Sequence, residues 1–413
     1  MQEELFMIKK TIGITAEYNP FHNGHLWQLK TLRKKFGNIP VIACMSGCFV
    51  QRGEIALTDP WTRATTAVRS GVDLVLLLPA WYSLHSADYF AAGAVKTLAA
   101  TGMVSSLVCG AEHTASHTLE ETAAWALQSE TEQQIKSFLQ QGLSYGAAWE
   151  TAAAENHVDT GWFKGANNQL ALAYQKSILR NHLPVKMLIL PRKGNSYNDT
   201  ELTSPYASAT AIRTALRNGH ALTSLTSVLP EASATLLNTG DIDFPDLFTR
   251  QEEALTLLLS NLLSQHSSQD LFEHCSASRN LCDRFYNARQ DLQHGYTSFC
   301  LKIANKRDPL PSVRRLALQL LLQRTRDFWT ETPAPSYLRV LAFNDRGRSL
   351  LKHMKETAVL PIITKAGSEK QYVKTPMYPL LQLDSAAADL FQLLNGNTGM
   401  FGMYFTTSPA YIR

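Results

Sequence analysis

The chain has 413 residues, 45% of them hydrophobic and 18% charged, with a formal net charge of +4. That apolar share supports a large core in two or three domains and excludes a disordered or highly charged scaffold. The total charge is too small to mark a nucleic-acid binder by itself.

TIGITA, at Thr11–Ala16, is a β-rich apolar run, and a helical pattern follows over residues 24–35. VIACMS, at Val41–Ser46, is a second strand. DPWTRATTAVRSG then carries helix punctuation: Asp59 as N-cap, Pro60 at the first helical position and Gly71 at the end. Residues 72–79 (VDLVLLLP) give a third strand, 86–102 a helix stopped by glycine, and 105–110 (SSLVCG) a fourth strand. An acidic helical section over 111–160 holds one Lys against eight Asp/Glu, and residues 185–191 (VKMLILP) form a fifth strand. The strands are continuous apolar runs, as expected when helices cover both faces. This order predicts an α/β fold with a doubly wound, parallel, five-stranded Rossmann-like sheet. A boundary near 219–223 divides an ATP-binding catalytic domain (1–220) from a helical, basic region (221–330). A small α/β part (331–413) follows, with TETPAPS as its hinge.

Residues 302–352 hold eleven Lys/Arg against four Asp/Glu, which is either a set of solvated helix faces or a phosphate-contact surface. The six cysteines form no CxxC pair and no zinc-like spacing, so no protein metal site is expected. The start MQEELFMIKK lacks a basic leader region, and the apolar stretch LVLLLPAW is far too short to span a bilayer. The expectation is a cytoplasmic protein.

The chemistry concentrates in AEYNPFHNGH, at the end of the first strand and the start of the first helix. The crevice beyond strand C-termini is where ligands bind in such sheets, and a helix N-terminus there suits phosphate. Gly24 permits close backbone approach, and His22 and His25 share one face of the first turn. Two imidazoles there can donate to a phosphate whose charge grows during attack. A metal or core role is the bland alternative for the pair. The H-N-G-H spacing resembles the HxGH signature of the nucleotidyltransferase superfamily, shared with class I aminoacyl-tRNA synthetases. Downstream, Ser208, Thr210 and Arg213 in SATAIR resemble its S-x-(S/T)-x-I-R element. Hydroxyls at a helix start with a guanidinium one turn on make a polyphosphate clamp; an ordinary helix cap is the alternative.

The motifs GITAEYNPFHNGHLWQL, MSGCFVQRGEIAL, GVDLVLLLP, CGAEH, KGANNQLALAYQK, LPRKGNSYND and SATAIRTAL occur in that order. Together they resemble the tRNA(Met) cytidine acetate ligase family of bacteria. KIANKRDPLPSVRRLALQLLL and PSYLRVLAFNDRGRSLL resemble it more weakly. The resemblance implies that ATP and acetate give acetyl-adenylate, whose acetyl passes to N4 of the wobble cytidine of elongator tRNA(Met). It implies an ATP loop of Thr15, Ala16, Glu17, Tyr18, Asn19, Pro20, Phe21, Asn23 and Gly24, with His22 and His25 catalytic on the phosphates. Gly110, Asn167 or its neighbour Asn168, and Arg192 would contact the nucleotide, and Ser208, Thr210 and Arg213 the polyphosphate. Mg²⁺ would arrive with ATP. Lys302, Lys306, Arg307, Arg314, Arg315, Arg324 and Arg326 would hold tRNA backbone from a polar helix face. Trp61, Trp81 and Tyr82 are base-stacking candidates, although ordinary packing is the commoner use of such rings.

The sequence departs from the family pattern at Cys48, Leu77, Asp308 and Pro309. Those changes spare the ATP loop and bear on the RNA contacts. A small-molecule nucleotidyltransferase shares both motifs but leaves the basic helical region unexplained. A non-catalytic RNA binder on the same fold would not need intact His22 and His25. A class I synthetase would need a KMSKS-like loop, which is absent from the sequence.

Overall fold

The computed structural model describes residues 11–192, 205–238, 242–331 and 333–413. The MQEELFMIKK segment, the part of LPRKGNSYND beyond Arg192, and Thr332 of TETPAPS lie outside the described residues.

The strands form where the apolar runs predict them: β1 Thr11–Ala16, β2 Val41–Ser46, β3 Leu74–Leu78, β4 Val104–Ala111 and β5 Lys186–Pro191. They pair in parallel in the order β5-β4-β1-β2-β3. Every residue of β2 and β3 is buried, because helices cover both faces. The first crossovers run through α1 (Asn23–Phe36), α2 (Pro60–Arg69) and α3 (Ala87–Ala99). Asp59 caps α2 as expected: its Oδ1 accepts from the backbone N–H of Trp61 at 2.9 Å and of Thr62 at 3.0 Å. Successive connections diverge between β1 and β4, the switch point where open α/β sheets hold ligands.

The sheet is larger than the expected five strands. β6 (Leu338–Phe343) pairs antiparallel with β3, and the short β7 (Ile362–Ile363) and β8 (Ala410–Tyr411) pair with β6, making eight strands among the described residues. The run LRVLAF is apolar throughout apart from Arg339 and buried along most of its length, so it covers an edge that β3 would otherwise leave open. The C-terminal part therefore extends the first sheet. Its seam is tight: a Cβ on Gly347 would sit 2.0 Å from the Asp73 carbonyl oxygen.

Four further helices position the site: α4 (Ala166–Arg180), α5 (Ala209–Arg217), α6 (Phe244–Gln265) and α7 (Leu310–Leu321). Ile212 and Leu216 of α5 pack with Leu225, Val228, Leu229 and Phe244 in one small core. Apolar packing is thus continuous across the expected cut at 219–223. Among the described residues no helix is long and apolar enough to cross a membrane.

Candidate functional site

The loop after β1 folds back so that His22 caps α1. Its Nδ1 accepts from Gly24 N–H at 3.0 Å, and Nδ1 of His25 accepts from His22 N–H at 3.2 Å. A ring whose Nδ1 accepts carries its proton on Nε2, so both imidazoles present Nε2–H as a donor. The ring centroids lie 3.9 Å apart. Burial, with the Arg192 and Arg213 charges adding to it, pulls the His22 pKa down to about 3. Burial, then His22 and Arg192, hold His25 well below its ordinary value. Both rings are therefore neutral donors at neutral pH. A Cβ on Gly24 would meet the His22 ring at 2.7 Å, so glycine is what allows the ring to close over the helix start.

The histidines face a cavity of about 610 Å³ at the C-terminal ends of the strands. Thr15, Ala16, Glu17, Tyr18, Asn19 and Gly24 line it with them, as do Gly110, Asn167, Arg192 and Arg213. Gly110 opens onto free space, since a Cβ there would meet nothing within 4 Å. Pro20, Phe21 and Asn23 of the expected ATP loop do not line the cavity. Phe21 is core, and Asn23 ties the loop down by donating to Ser227 O at 2.9 Å and Pro205 O at 3.2 Å.

The adjacent asparagines separate cleanly. Asn168 is buried; its Oδ1 accepts from Glu112 and His113 N–H, both at 2.9 Å, and its Nδ2 donates to Gly161 O and Lys164 O. That fully used amide braces the loop after β4 and leaves nothing for a nucleotide. Asn167 faces the cavity, its Nδ2 2.5 Å from Glu112 Oε1. The SATAIR element is likewise divided. Ser208 is buried and its Oγ caps α5 through Ala211 N–H at 3.0 Å. Thr210 Oγ1 accepts from Arg213 at 3.4 Å. Neither hydroxyl lines the cavity, whereas Arg213 does.

Long-range contacts add residues for which local sequence gives no signal. Residues 48–56 form a small hairpin, closed by Val50 N–H on Glu54 O and Ala56 N–H on Cys48 O. Its tip residues Gln51 and Arg52 line the cavity. Glu54 accepts from Arg213 at 2.8 Å and from Arg314 at 2.7 Å. Burial pushes the Glu54 pKa up, but Arg213 and then Arg314 outweigh it, so the group stays below its ordinary value. Gln51 N–H donates to Glu17 Oε1 at 2.8 Å. Buried Arg63 braces the β1 loop by donating to Glu17 O at 2.6 Å. Tyr174 of α4 hydrogen-bonds Thr15. The only foretaste of the hairpin in the sequence is the motif MSGCFVQRGEIAL.

The expected RNA-binding residues fall into two groups. Lys302, Lys306 and Arg307 are exposed. Arg314 is committed to Glu54, and Arg315 lines the cavity together with Pro309 and Ser312. Arg324 lies over the Phe328 ring at 5.9 Å from its centroid. Arg326 is caged by the carbonyls of Phe272, Cys275 and Ala277 at 3.0–3.3 Å, a structural role. Asp308 pairs with Arg284, which also holds Ile303 O at 2.8 Å, so Asp308 fixes the loop. Trp61, Trp81 and Tyr82 are buried; Trp81 donates to Phe328 O at 2.9 Å and Tyr82 to Pro333 O at 2.6 Å. They are core and cannot stack a base. Cys48 is buried and burial drives its thiol pKa far up, which removes it as a nucleophile.

Residues 9–401 match the family described as HIGH Nucleotidyl Transferase. A tRNA(Met) cytidine acetate ligase from Clostridium novyi is 31% identical over 418 residues, spanning 97% of this chain and 99% of that relative. The crystal structure of apo Thermotoga maritima TmcAL superimposes with a TM-score of 0.88 at 28% identity, covering 98% of this chain and 100% of that one. The structure of the same protein bound with α-thio ATP gives a TM-score of 0.84 at 27% identity, covering 98% of this chain and 100% of that one.

Proposed function

The chain belongs to the HIGH nucleotidyl transferase family and, within it, to the tRNA(Met) cytidine acetate ligases, and from that premise we propose how its residues divide the work. It is an ATP-dependent tRNA-modifying ligase. In our reading the first step is attack of an acetate oxygen on the α-phosphorus of ATP. The O–Pα bond forms, the Pα–O–Pβ bond breaks, and pyrophosphate leaves. No protein nucleophile is needed, since the carboxylate is the nucleophile. In the second step N4 of the wobble cytidine of elongator tRNA(Met) attacks the acetyl carbon, AMP departs, and N4 loses a proton.

The observation that carries this reading is the shared cavity. One wall is the HNGH loop with two neutral imidazoles; another, with Pro309, Ser312 and Arg315, comes from the helical region. Exposed Lys302, Lys306 and Arg307 lie just before that wall in the chain. In this reading adenylation and RNA docking meet at one mouth. Gly110, Asn167 and Arg192 would take the nucleoside side. Nε2–H of His22 and His25 and the Arg213 guanidinium would take the phosphates as charge builds. Mg²⁺, in this reading, comes bound to the ATP phosphates, where it would neutralise charge. Among the described residues no group of three His, Cys, Asp or Glu side chains could hold a metal ion.

The test is pyrophosphate exchange into ATP, with and without tRNA, using acetate, other small acids and phosphorylated metabolites. Exchange with acetate alone, followed by N4-acetylcytidine in the tRNA, is the expected result. Exchange that requires a phosphorylated metabolite instead would keep the fold and overturn the reaction.

A further inference from the structure

Arg315 belongs to the helical region, yet its side chain lines the reaction cavity. Its Nη1 donates to Gln51 O at 2.9 Å and its Nη2 to Ser312 Oγ at 3.1 Å. Those partners are neutral. Arg213 and Arg314 share Glu54, but no carboxylate of the described residues lies within ion-pair distance of Arg315. Burial alone pulls its pKa down to about 10, with no acid opposing the shift. A guanidinium has five N–H donors, and withdrawing one from water without a counter-charge is costly. An anion in the cavity would remove that cost.

The position of Arg315 selects the anion. Gly110, Asn167 and Arg192 stand at the β4 and β5 end of the cavity, and the histidine pair stands at β1 in the middle. Arg315 lines the cavity from the helical region, with Gln51 of the loop after β2 and Ser86, Ala87 and Phe90 after β3. Ser86 is the N-cap of α3 but makes no side-chain cap bond. With its carboxamide oxygen turned inward, Gln51 accepts from Ala87 N–H and from Arg315 Nη1, both at 3.2 Å. Gln51 thus holds the Arg315 guanidinium in place through neutral oxygens and leaves its charge uncompensated. The buried Phe90 ring beside them offers apolar surface for a methyl group.

We infer that Arg315 binds the carboxylate of the acid substrate and holds it opposite the adenosine, in line with the α-phosphorus. This rests on the reading above that acetate is the acid. The carboxylate's charge passes to the departing pyrophosphate as the O–Pα bond forms, so Arg315 acts on bound acetate in the ground state. Its loss raises the KM for acetate more than it lowers kcat. The small-molecule site is then completed by the region that also docks RNA.

The experiment compares wild type, R315K and R315M as full chains. It measures acetate-dependent pyrophosphate exchange, ATP affinity by calorimetry without acetate, tRNA affinity by filter binding, and the melting midpoint. A charge-assisted bidentate contact predicts a rise of about tenfold or more in acetate KM for R315M, and a smaller rise for R315K. ATP and tRNA affinities stay within about twofold in either variant. A weaker ATP affinity with unchanged acetate KM would assign the cation to the polyphosphate. A weaker tRNA affinity with unchanged exchange would assign it to the RNA. Parallel loss of every readout with the melting midpoint would make it a packing residue. If R315M does not fold, R315K decides by the same split. Absence of acetate-dependent exchange in wild type would instead sink the underlying reading.

Discussion

At the scale of single residues, two imidazoles carry the argument, and their charge state is testable. His25 is held well below its ordinary pKa by burial, then by His22 and Arg192. The unfolded chain therefore takes up a proton at this residue, from about pH 6.5 downward, that the folded chain refuses. That lowers stability as pH falls and leaves it untouched at neutral pH. Replacing His25 with Gln removes the refused proton. Urea unfolding of the ATP-free protein between pH 7 and 5 should lose less stability in the variant than in wild type; equal losses would mean that His25 is charged in the fold. At pH 7.5 the same variant should lose roughly 10²–10³-fold in exchange rate, the cost of one transition-state donor, with tRNA affinity unchanged. The HNGH spacing made this pair legible in the sequence, because both roles depend on residues three apart on one helix turn. Which of Asn167 and Asn168 faces the cavity was not legible. That choice depends on α4's rotation, which is set by Glu112 and His113 more than fifty residues away.

At the scale of elements, short apolar runs announced all five parallel strands, since each is decided by its own composition. The pairing of β6 with β3 was hidden, because it joins segments some 260 residues apart and leaves no local trace. The hairpin over residues 48–56 closes locally; what left no trace is its docking on α7, about 260 residues further on. Its tip is a docking device as well as a cavity wall. Gly53 has φ +69°, and a Cβ there would lie 2.6 Å from Arg315 N and 2.7 Å from Arg314 Cβ. Backbone meets backbone at that point, so α7 cannot yield by a simple side-chain rotation. Gly53→Ala should combine left-handed strain with this clash and destabilise the protein by about 1–3 kcal/mol. The melting midpoint measures it. Acetate KM should rise alongside, since Arg315 moves with α7. A variant with an unchanged melting midpoint would show that the hairpin and α7 are not tightly docked.

At the scale of the whole molecule, the basic segment read from the sequence divides between buried partners and exposed surface. The 302–352 segment looked like one basic stripe, yet the fold turns part of it inward. Arg314 pairs with Glu54, Arg315 lines the cavity and Arg326 sits in a carbonyl cage, which leaves Lys302, Lys306 and Arg307 exposed. Asn305 Oδ1 accepts from Arg307 N–H at 2.9 Å and from Asp308 N–H at 2.7 Å, and the Arg284–Asp308 pair anchors the loop from beneath. A loop fixed in that way presents its cations without an ordering cost on binding. Pairing such cations with phosphate releases counterions, so affinity falls with salt in proportion to the number of phosphates neutralised. Reversing all three charges to Glu should weaken tRNA binding and reduce the slope of log affinity against log salt by about one for each phosphate no longer neutralised. Acetate-dependent exchange without tRNA should hold steady, because none of the three lines the cavity. Reversal of Arg314 should do the opposite, freeing Glu54 from one of its two cations and impairing exchange even without RNA. If the triple variant kept the wild-type salt slope, the RNA backbone would have to run over another face. The cavity chemistry would stand, but the shared mouth would no longer explain how the cytidine arrives.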